Sequence, residues 1–257
     1  MLPFRIVKSI LKTNNILKEF EPDVVIGTGG YASAIPLYMI SKRNDSTTII
    51  LQEQNSFPGI TTRLFAKKAN KVCIAFEEPN YTLGDNTVVT GNPVRKGIRE
   101  GNKKNGFYEF KLKEKNKTIF LFGGSQGSAY LNKLLGEIAE KISNSGIQLL
   151  WQTGDLEFQK YNHLESENIR IVPFVNNMAV AYAISDLIVC RSGALTLAEI
   201  TVCGKPSILI PFKFAAGDHQ KKNAEALVNH TAAHVLDEKK LTPKLLLPDI
   251  MNLIHNE

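Results

Sequence analysis

Thr118-Ile119-Phe120-Leu121-Phe122-Gly123-Gly124-Ser125-Gln126-Gly127-Ser128 is the stretch whose reading decides the fold. An uncharged apolar run that stops abruptly at two glycines reads as a strand buried on both faces. Residues 129–142 follow with Leu131, Leu134, Leu135 and Ile138 on one face, which predicts a helix. Strand, glycine-rich turn and helix in that order form a unit of a parallel sheet. The glycines let the backbone approach a ligand closely, and the first turn of the helix offers free N–H groups that suit a diphosphate. Ser125 adds a hydroxyl donor. A tight turn with no ligand has the same composition, so the loop alone leaves both readings open. The pattern is neither GxxxxGK[ST] nor a strict GxGxxG, and neither an ATPase nor a nicotinamide site follows from it.

The same alternation extends in both directions. Upstream, Asp23-Val24-Val25-Ile26 runs into Gly27-Thr28-Gly29-Gly30-Tyr31 and a helical stretch through about residue 42. Further strands are expected at 47–51, ending in Gln52-Glu53-Gln54-Asn55, at 71–75, and at 87–90, running into Gly91-Asn92-Pro93-Val94-Arg95. Downstream, strands are expected near 147–151, 169–172, 187–190 and 206–210. Between the two series, residues 97–117 carry Lys103, Lys104, Lys111, Lys113, Lys115 and Lys117 with few apolar anchors. That segment reads as a boundary and solvated linker. The expected architecture is α/β with two parallel-sheet domains, residues 1–96 and 118–257, joined through 97–117.

Bulk properties agree with this and exclude little. The 257 residues are 43% apolar and 22% charged, an ordinary globular composition long enough for two cores. A net charge of +6 suits nucleotide phosphates, an anionic membrane face or nucleic acid without choosing among them. The lysines lack the interleaved aromatics of a single-strand binder, which argues against nucleic acid. Cys73, Cys190 and Cys203 are scattered and form no CxxC, so neither a zinc site nor a disulfide framework is supported, and a reducing cytosol fits. No apolar run reaches the ~18 residues of a membrane span. The start, from Met1 to Lys8, shows no signal-peptide pattern. Residues 3–20 place Phe4, Val7, Ile10, Leu11 and Leu17 at helical spacing among Arg5, Lys8, Lys12 and Lys18. Such a helix either packs on a sheet or lies on a membrane surface.

Two further segments carry chemistry. In Cys190-Arg191-Ser192-Gly193-Ala194-Leu195-Thr196-Leu197-Ala198-Glu199 a strand gives way to a small-residue turn and a helix. Backbone N–H groups there face the carboxyl edge of the sheet, where open α/β sheets bind ligands. Glu199 can accept from vicinal hydroxyls such as those of ribose, or simply sit favourably near a helix N-terminus. In Gly217-Asp218-His219-Gln220-Lys221-Lys222-Asn223-Ala224, Gln220 and Asn223 share a helix face. Paired amides of that kind read sugar hydroxyls, or belong to a polar surface helix.

Segments 27–31, 52–55, 91–95, 123–128, 190–199 and 218–224, in this order and across nearly the whole chain, resemble the MurG family of N-acetylglucosaminyltransferases. The resemblance implies a GT-B fold of two Rossmann-like domains facing a cleft, the first incomplete here. It implies a donor site for UDP-N-acetylglucosamine made of Ser125, Gln126, Val175, Ala194, Leu195, Thr196, Leu197, Ala198, Glu199, Gln220 and Asn223, with Asn55 and Arg95 approaching it. Val175 would meet uracil through its backbone, Glu199 the ribose, and Gln220 with Asn223 the sugar. Thr28, Gly29, Gly30, Tyr31 and Glu53 would bind the acceptor, an undecaprenyl-diphosphate-linked muramyl-pentapeptide. Phe4, Val7 and Ile10, flanked by Arg5, Lys8 and Lys12, would rest on the inner leaflet of the cytoplasmic membrane, making the protein peripheral on its cytoplasmic side.

The implied reaction is inverting displacement at the anomeric carbon by the muramyl 4-hydroxyl, a step of peptidoglycan synthesis. Helix dipoles and Arg95 would meet the charge developing on UDP. No Asp-x-Asp pair occurs, and neither a metal nor another cofactor is needed. Where the family often has His, this chain has Gln52, and the family's earlier strand with its His-bearing glycine loop has no counterpart. The catalytic base is therefore unassigned, and the family's closing helix is also without a match. A chain shortened at both ends is expected, either a transferase lacking its first segment or a nucleotide-sugar-binding module that needs a partner. A UDP-N-acetylglucosamine 2-epimerase is a weaker alternative, since no carboxylate constellation supports it.

Overall fold

The computed structural model describes residues 2–43, 46–77, 82–228 and 233–255. Contacts divide the chain into two compact units, Met1–Asn92 and Pro93–Glu257.

The first unit contains α1 (Leu2–Phe20), β1 (Val24–Gly27), α2 (Gly30–Ile40), β2 (Thr48–Glu53), α3 (Ile60–Phe65), β3 (Lys71–Ile74) and β4 (Thr87–Val89). Its strands lie in sequence order and pair in parallel, with Val24 opposite Thr48, Leu51 opposite Val72 and Val72 opposite Thr87. Along β2 the side chains alternate, and Ile49, Leu51 and Glu53 are the buried set. Ile49 and Leu51 join Leu17, Leu37, Ile40, Phe65 and Val72 in the core. Leu17 is the α1 residue in that core; Phe4, Val7, Ile10 and Leu11 are exposed. The apolar stripe of α1 is therefore mostly not a packing surface within this unit. Among the described residues, no helix is long and apolar enough to cross a membrane.

The second unit contains α4 (Lys103–Phe110), β5 (Thr118–Phe122), α5 (Ala129–Gly136), α6 (Ala139–Asn144), β6 (Gln148–Gln152), α7 (Asp155–Tyr161), β7 (Ile169–Val172), α8 (Met178–Ile184), β8 (Leu187–Cys190), α9 (Ala194–Cys203), β9 (Ser207–Leu209), α10 (His219–Val228), β10 (His234–Val235) and α11 (Pro243–His255). Its sheet is ordered β10-β9-β8-β5-β6-β7 and all its pairings are parallel. The chain enters at the centre, winds outward through β6 and β7, then returns to β8 and winds outward the other way. The winding reverses between β5 and β8, and ligands bind open sheets beyond the carboxyl ends of strands at such a reversal. Every residue of β5, β6 and β8 is buried, as strands covered on both faces require.

Two local features depart from the periodicity. The helix expected over 129–142 is broken: Ile138, at φ −121° and ψ −9°, leaves helical geometry and buries its side chain between α5 and α6. Residues 97–117 contain α4, which docks on α8, and Ile98, Phe110 and Leu112 of this segment are buried. Glycine makes the docking possible. A Cβ on Gly106 would sit 2.6 Å from Ile184 Cγ2, and one on Gly101 would sit 2.0 Å from the Ala179 carbonyl oxygen. The Gly101→Ala substitution must therefore push α4 away from α8, and a loss of about 1–3 kcal/mol is expected from overpacking of this kind. Urea unfolding measures it, and an unchanged midpoint would show that α4 has no fixed seat.

Candidate functional site

Loops from both sides of the winding reversal meet at the carboxyl edge of the second sheet. After β5 the chain turns through Gly124, at φ +94°, and Gly127, at φ +76°, conformations that favour glycine. A Cβ on Gly127 would lie 1.9 Å from the Thr153 carbonyl oxygen, and one on Gly154 would lie 2.2 Å from that of Gln126. The turn after β5 is thus interlocked with the turn after β6, while Ser125 and Gln126 stay exposed at its tip. Ser128 caps α5, its hydroxyl accepting from the Leu131 N–H at 3.4 Å. Gln152, buried at the end of β6, donates through Nε2 to the Gly124 carbonyl at 2.8 Å and accepts the Val175 N–H on Oε1 at 2.9 Å. That amide holds the glycine loop and the 173–177 loop in one arrangement. The Val175 N–H is engaged, so a backbone hydrogen bond from this residue to a base would fall to its carbonyl.

Across the reversal, β8 ends at Cys190, whose thiol burial pushes far up, leaving it an uncharged core group. Arg191 follows, only 7% exposed. Its Nη1 donates to the Ile210 carbonyl at 3.1 Å, and its Nη2 donates to Ser128 Oγ and to Glu238 Oε1, both at 3.0 Å. The guanidinium also lies over the rings of Phe212 and Tyr130. Glu238 is 4% exposed, and its other oxygen accepts the Lys213 N–H at 2.8 Å. The Tyr130 hydroxyl donates to the carbonyls of Glu238 and Leu241. Burial and the Glu238 charge together raise its pKa.

α9 starts beside this hub. Leu195 is exposed and Thr196 half-buried, whereas Leu197 is fully buried and offers a ligand only its backbone. Ala194 is also buried and Ala198 half-buried. Glu199 Oε2 accepts from the Tyr182 hydroxyl at 3.0 Å, and Oε1 lies 3.3 Å from Arg95 Nε. Ser192 Oγ donates to the Gln220 carbonyl, and Gln220 Oε1 accepts the Phe212 N–H at 2.9 Å, joining α10 to the same edge. Asn223, expected on an open face with Gln220, is fully buried.

In the first unit, Gly29 at φ +82° and Gly30 at φ +74° shape the turn before α2, with Tyr31 exposed at its side. Thr61 donates to the Gly30 carbonyl at 2.9 Å. Glu53, expected to meet an acceptor, is 5% exposed. Its oxygens accept from the N–H groups of Asn55 (3.1 Å) and Gly59 (2.9 Å) and from the Thr62 hydroxyl (2.6 Å). This carboxylate shapes the loop that carries Asn55. Gln52 donates to Asn92 Oδ1 at 3.0 Å.

Gln152, Glu238 and Tyr182 were invisible as site residues in the sequence: Gln152 and Tyr182 lie in largely apolar segments, and Glu238 lies in the charged run Asp237-Glu238-Lys239-Lys240, which reads as solvated surface. Arg191 lies in the 190–199 turn and helix, but nothing in that spacing names Glu238 as its partner. Among the described residues, no group of three or more His, Cys, Asp or Glu side chains is placed to hold a metal ion.

Comparison with known proteins gives this geometry its family. Residues 118–257 match the glycosyltransferase family 28 C-terminal domain, and residues 2–74 match the glycosyltransferase family 28 N-terminal domain. The chain belongs to glycosyltransferase family 28. Its relatives include proteins of Flavobacterium psychrophilum and Christiangramia forsetii, both named UDP-N-acetylglucosamine–N-acetylmuramyl-(pentapeptide) pyrophosphoryl-undecaprenol N-acetylglucosamine transferase. The first is 40% identical over 94% of this chain and 66% of its own length; the second is 38% identical over 100% and 70%. The chain thus spans about two thirds of the length of these relatives. A crystal structure of Acinetobacter baumannii MurG, 26% identical, superposes with a TM-score of 0.77 over 99% of this chain and 71% of that one. These findings support a hexosyltransferase with a GT-B architecture of two parallel-sheet units.

The buried hub of this family 28 chain is open to test. Removing one partner of a buried ion pair leaves the other charge uncompensated, at a cost of about 3–5 kcal/mol. Glu238→Ala is expected to lower the stability of the second unit by that amount in urea unfolding. A loss under about 1 kcal/mol would mean that water already reaches Arg191.

Proposed function

We propose that this chain is an inverting N-acetylglucosaminyltransferase. It takes the sugar from UDP-N-acetylglucosamine and delivers it to the muramyl 4-hydroxyl of an undecaprenyl-diphosphate-linked muramyl-pentapeptide. The carrying observation is the paired loops at the winding reversal, one leading into α5 and the other into α9 with Glu199. In this reading the exposed tip at Ser125 and Gln126 and the first turns of α5 and α9 receive the diphosphate. The Val175 carbonyl meets uracil and Glu199 the ribose. Gln220 meets the sugar, and the buried Asn223 supports it from beneath. Leu195, Thr196 and Ala198 line the nucleotide, with Ala194 and Leu197 holding their helix in the core. The turn 28–31 takes the acceptor diphosphate, and Glu53 shapes the neighbouring loop that carries Asn55.

Leaving-group charge on UDP is met by helix N-termini and by Arg95, groups in place before the bond breaks, which is where electrostatic catalysis is most effective. Arg95 is paired with Glu199, so its approach to the diphosphate competes with that pairing. Gln52 cannot serve as the base, because an amide takes no proton at neutral pH.

Incubation with UDP-N-acetylglucosamine and the lipid-linked acceptor tests the reading directly. UDP release with a β-linked disaccharide product is expected. Donor binding without UDP release would replace the transferase with a nucleotide-sugar-binding module. Formation of the 2-epimeric sugar without acceptor would identify an epimerase.

The exposed stripe of α1 supports attachment to the cytoplasmic face of the membrane. Phe4, Val7 and Ile10 are exposed beside Arg5, Lys8 and Lys12, and apolar area with flanking cations is what binds an anionic interface. Changing all three apolar residues to Ser is expected to reduce sedimentation with phosphatidylglycerol vesicles at least several-fold. Unchanged sedimentation would remove the membrane role of α1.

A further inference from the structure

The Glu199 carboxylate is oriented by two neighbours of different kinds. Arg95, whose side chain is 59% exposed, approaches Oε1. Tyr182, 1% exposed, donates to Oε2 at 3.0 Å. The Tyr182 ring packs edge-on against Phe120 and Phe122 of β5, with centroids 6.1 and 6.3 Å away. α8 carries this ring, β5 packs against it, and its hydroxyl is directed to the Glu199 carboxylate. Burial and the adjacent Glu199 charge hold the phenol protonated far above its ordinary range, so it donates to the carboxylate at any working pH.

We propose that Tyr182 is a positioning residue that makes Glu199 selective for ribose over deoxyribose. By occupying Oε2, the tyrosine fixes the carboxylate plane and leaves Oε1 as the oxygen presented to a sugar hydroxyl. Arg95 shares Oε1 from an exposed position, so it can give way to that hydroxyl; the buried Tyr182 cannot. A carboxylate held at one oxygen loses little freedom when the other accepts a hydroxyl, and this preorganisation is where selectivity arises. Without the phenol, the carboxylate is free to turn away and the ribose hydroxyl loses its aligned acceptor. The inference rests on the reading of Glu199 as the ribose contact.

Titration calorimetry with UDP and 2′-deoxy-UDP, on the natural chain and on Tyr182→Phe, separates the possibilities. The natural chain is expected to prefer UDP by roughly ten- to a hundredfold, the range of one hydrogen bond to a charged group. In Tyr182→Phe the preference should fall to within about twofold, through loss of UDP affinity alone, with 2′-deoxy-UDP binding unchanged. The retained 2′-deoxy-UDP affinity also shows that the variant is folded. Equal weakening of both ligands would mean the tyrosine acts through packing, and a preserved preference would mean it does not act on Glu199; either overturns the proposal. Glu199→Gln is expected to lose the same preference, since the amide is a weaker acceptor, and a retained preference would overturn the proposal too. A natural chain that binds UDP but ignores the 2′-hydroxyl overturns this inference and spares the nucleotide site. A natural chain that binds neither overturns both.

Discussion

The ion pair between Arg191 and Glu238 holds the carboxyl edge of the second unit together. Desolvating two charges costs several kcal/mol each, so such a pair is not an efficient source of stability. Its value here is positional. One guanidinium spreads its donors over the β9 exit, the α5 cap and a carboxylate from the segment after β10. The second oxygen of that carboxylate fastens the Lys213 backbone. Loops following four strands are thereby set at fixed mutual distances by groups that are almost wholly buried. An apolar replacement of equal volume would fill the space and lose the register.

The first unit uses the same device on a smaller scale. Glu53 terminates β2 and turns its oxygens onto the backbone of 55 and 59 and the hydroxyl of Thr62. In both units a buried carboxylate stands in for regular secondary structure, satisfying N–H groups that a loop would otherwise leave unpaired. The exposed residues beside each loop, Ser125 and Gln126 in one unit and Tyr31 in the other, then stand on a rigid base. Preorganisation of that kind is what a site needs if binding is not to be spent on ordering loops.

Sequence legibility followed the physics of each element. Strands such as β5 and β8 were plain, because a central parallel strand is buried on both faces and reads as an uninterrupted apolar run. Glycine turns were plain for the same local reason. α4 was hidden because Gly101 and Gly106 replace the apolar anchors that periodicity detects; the close approach they permit is a property of α8 as well. β10, with two residues, is too short to carry a pattern. Of the site, the exposed ligand-facing positions were legible through resemblance, while their supports were not. Tyr182 looks like any core aromatic, and Glu238 like any surface acid, until the chain brings Glu199 and Arg191 to them.

The interlocked glycines after β5 and β6 bear on how this surface can change over generations. Gly127 lies against the Thr153 carbonyl, and Gly154 against that of Gln126. Each glycine abuts main chain, and no substitution elsewhere can shorten a carbonyl. A side chain at either position therefore has no compensating partner, and drift is blocked at both together. The side chains of Ser125 and Gln126, exposed at the tip of the same turn, carry no such restriction. Variation in what the edge recognises is thus channelled into the two residues at the tip, while the shape that presents them is inherited unaltered.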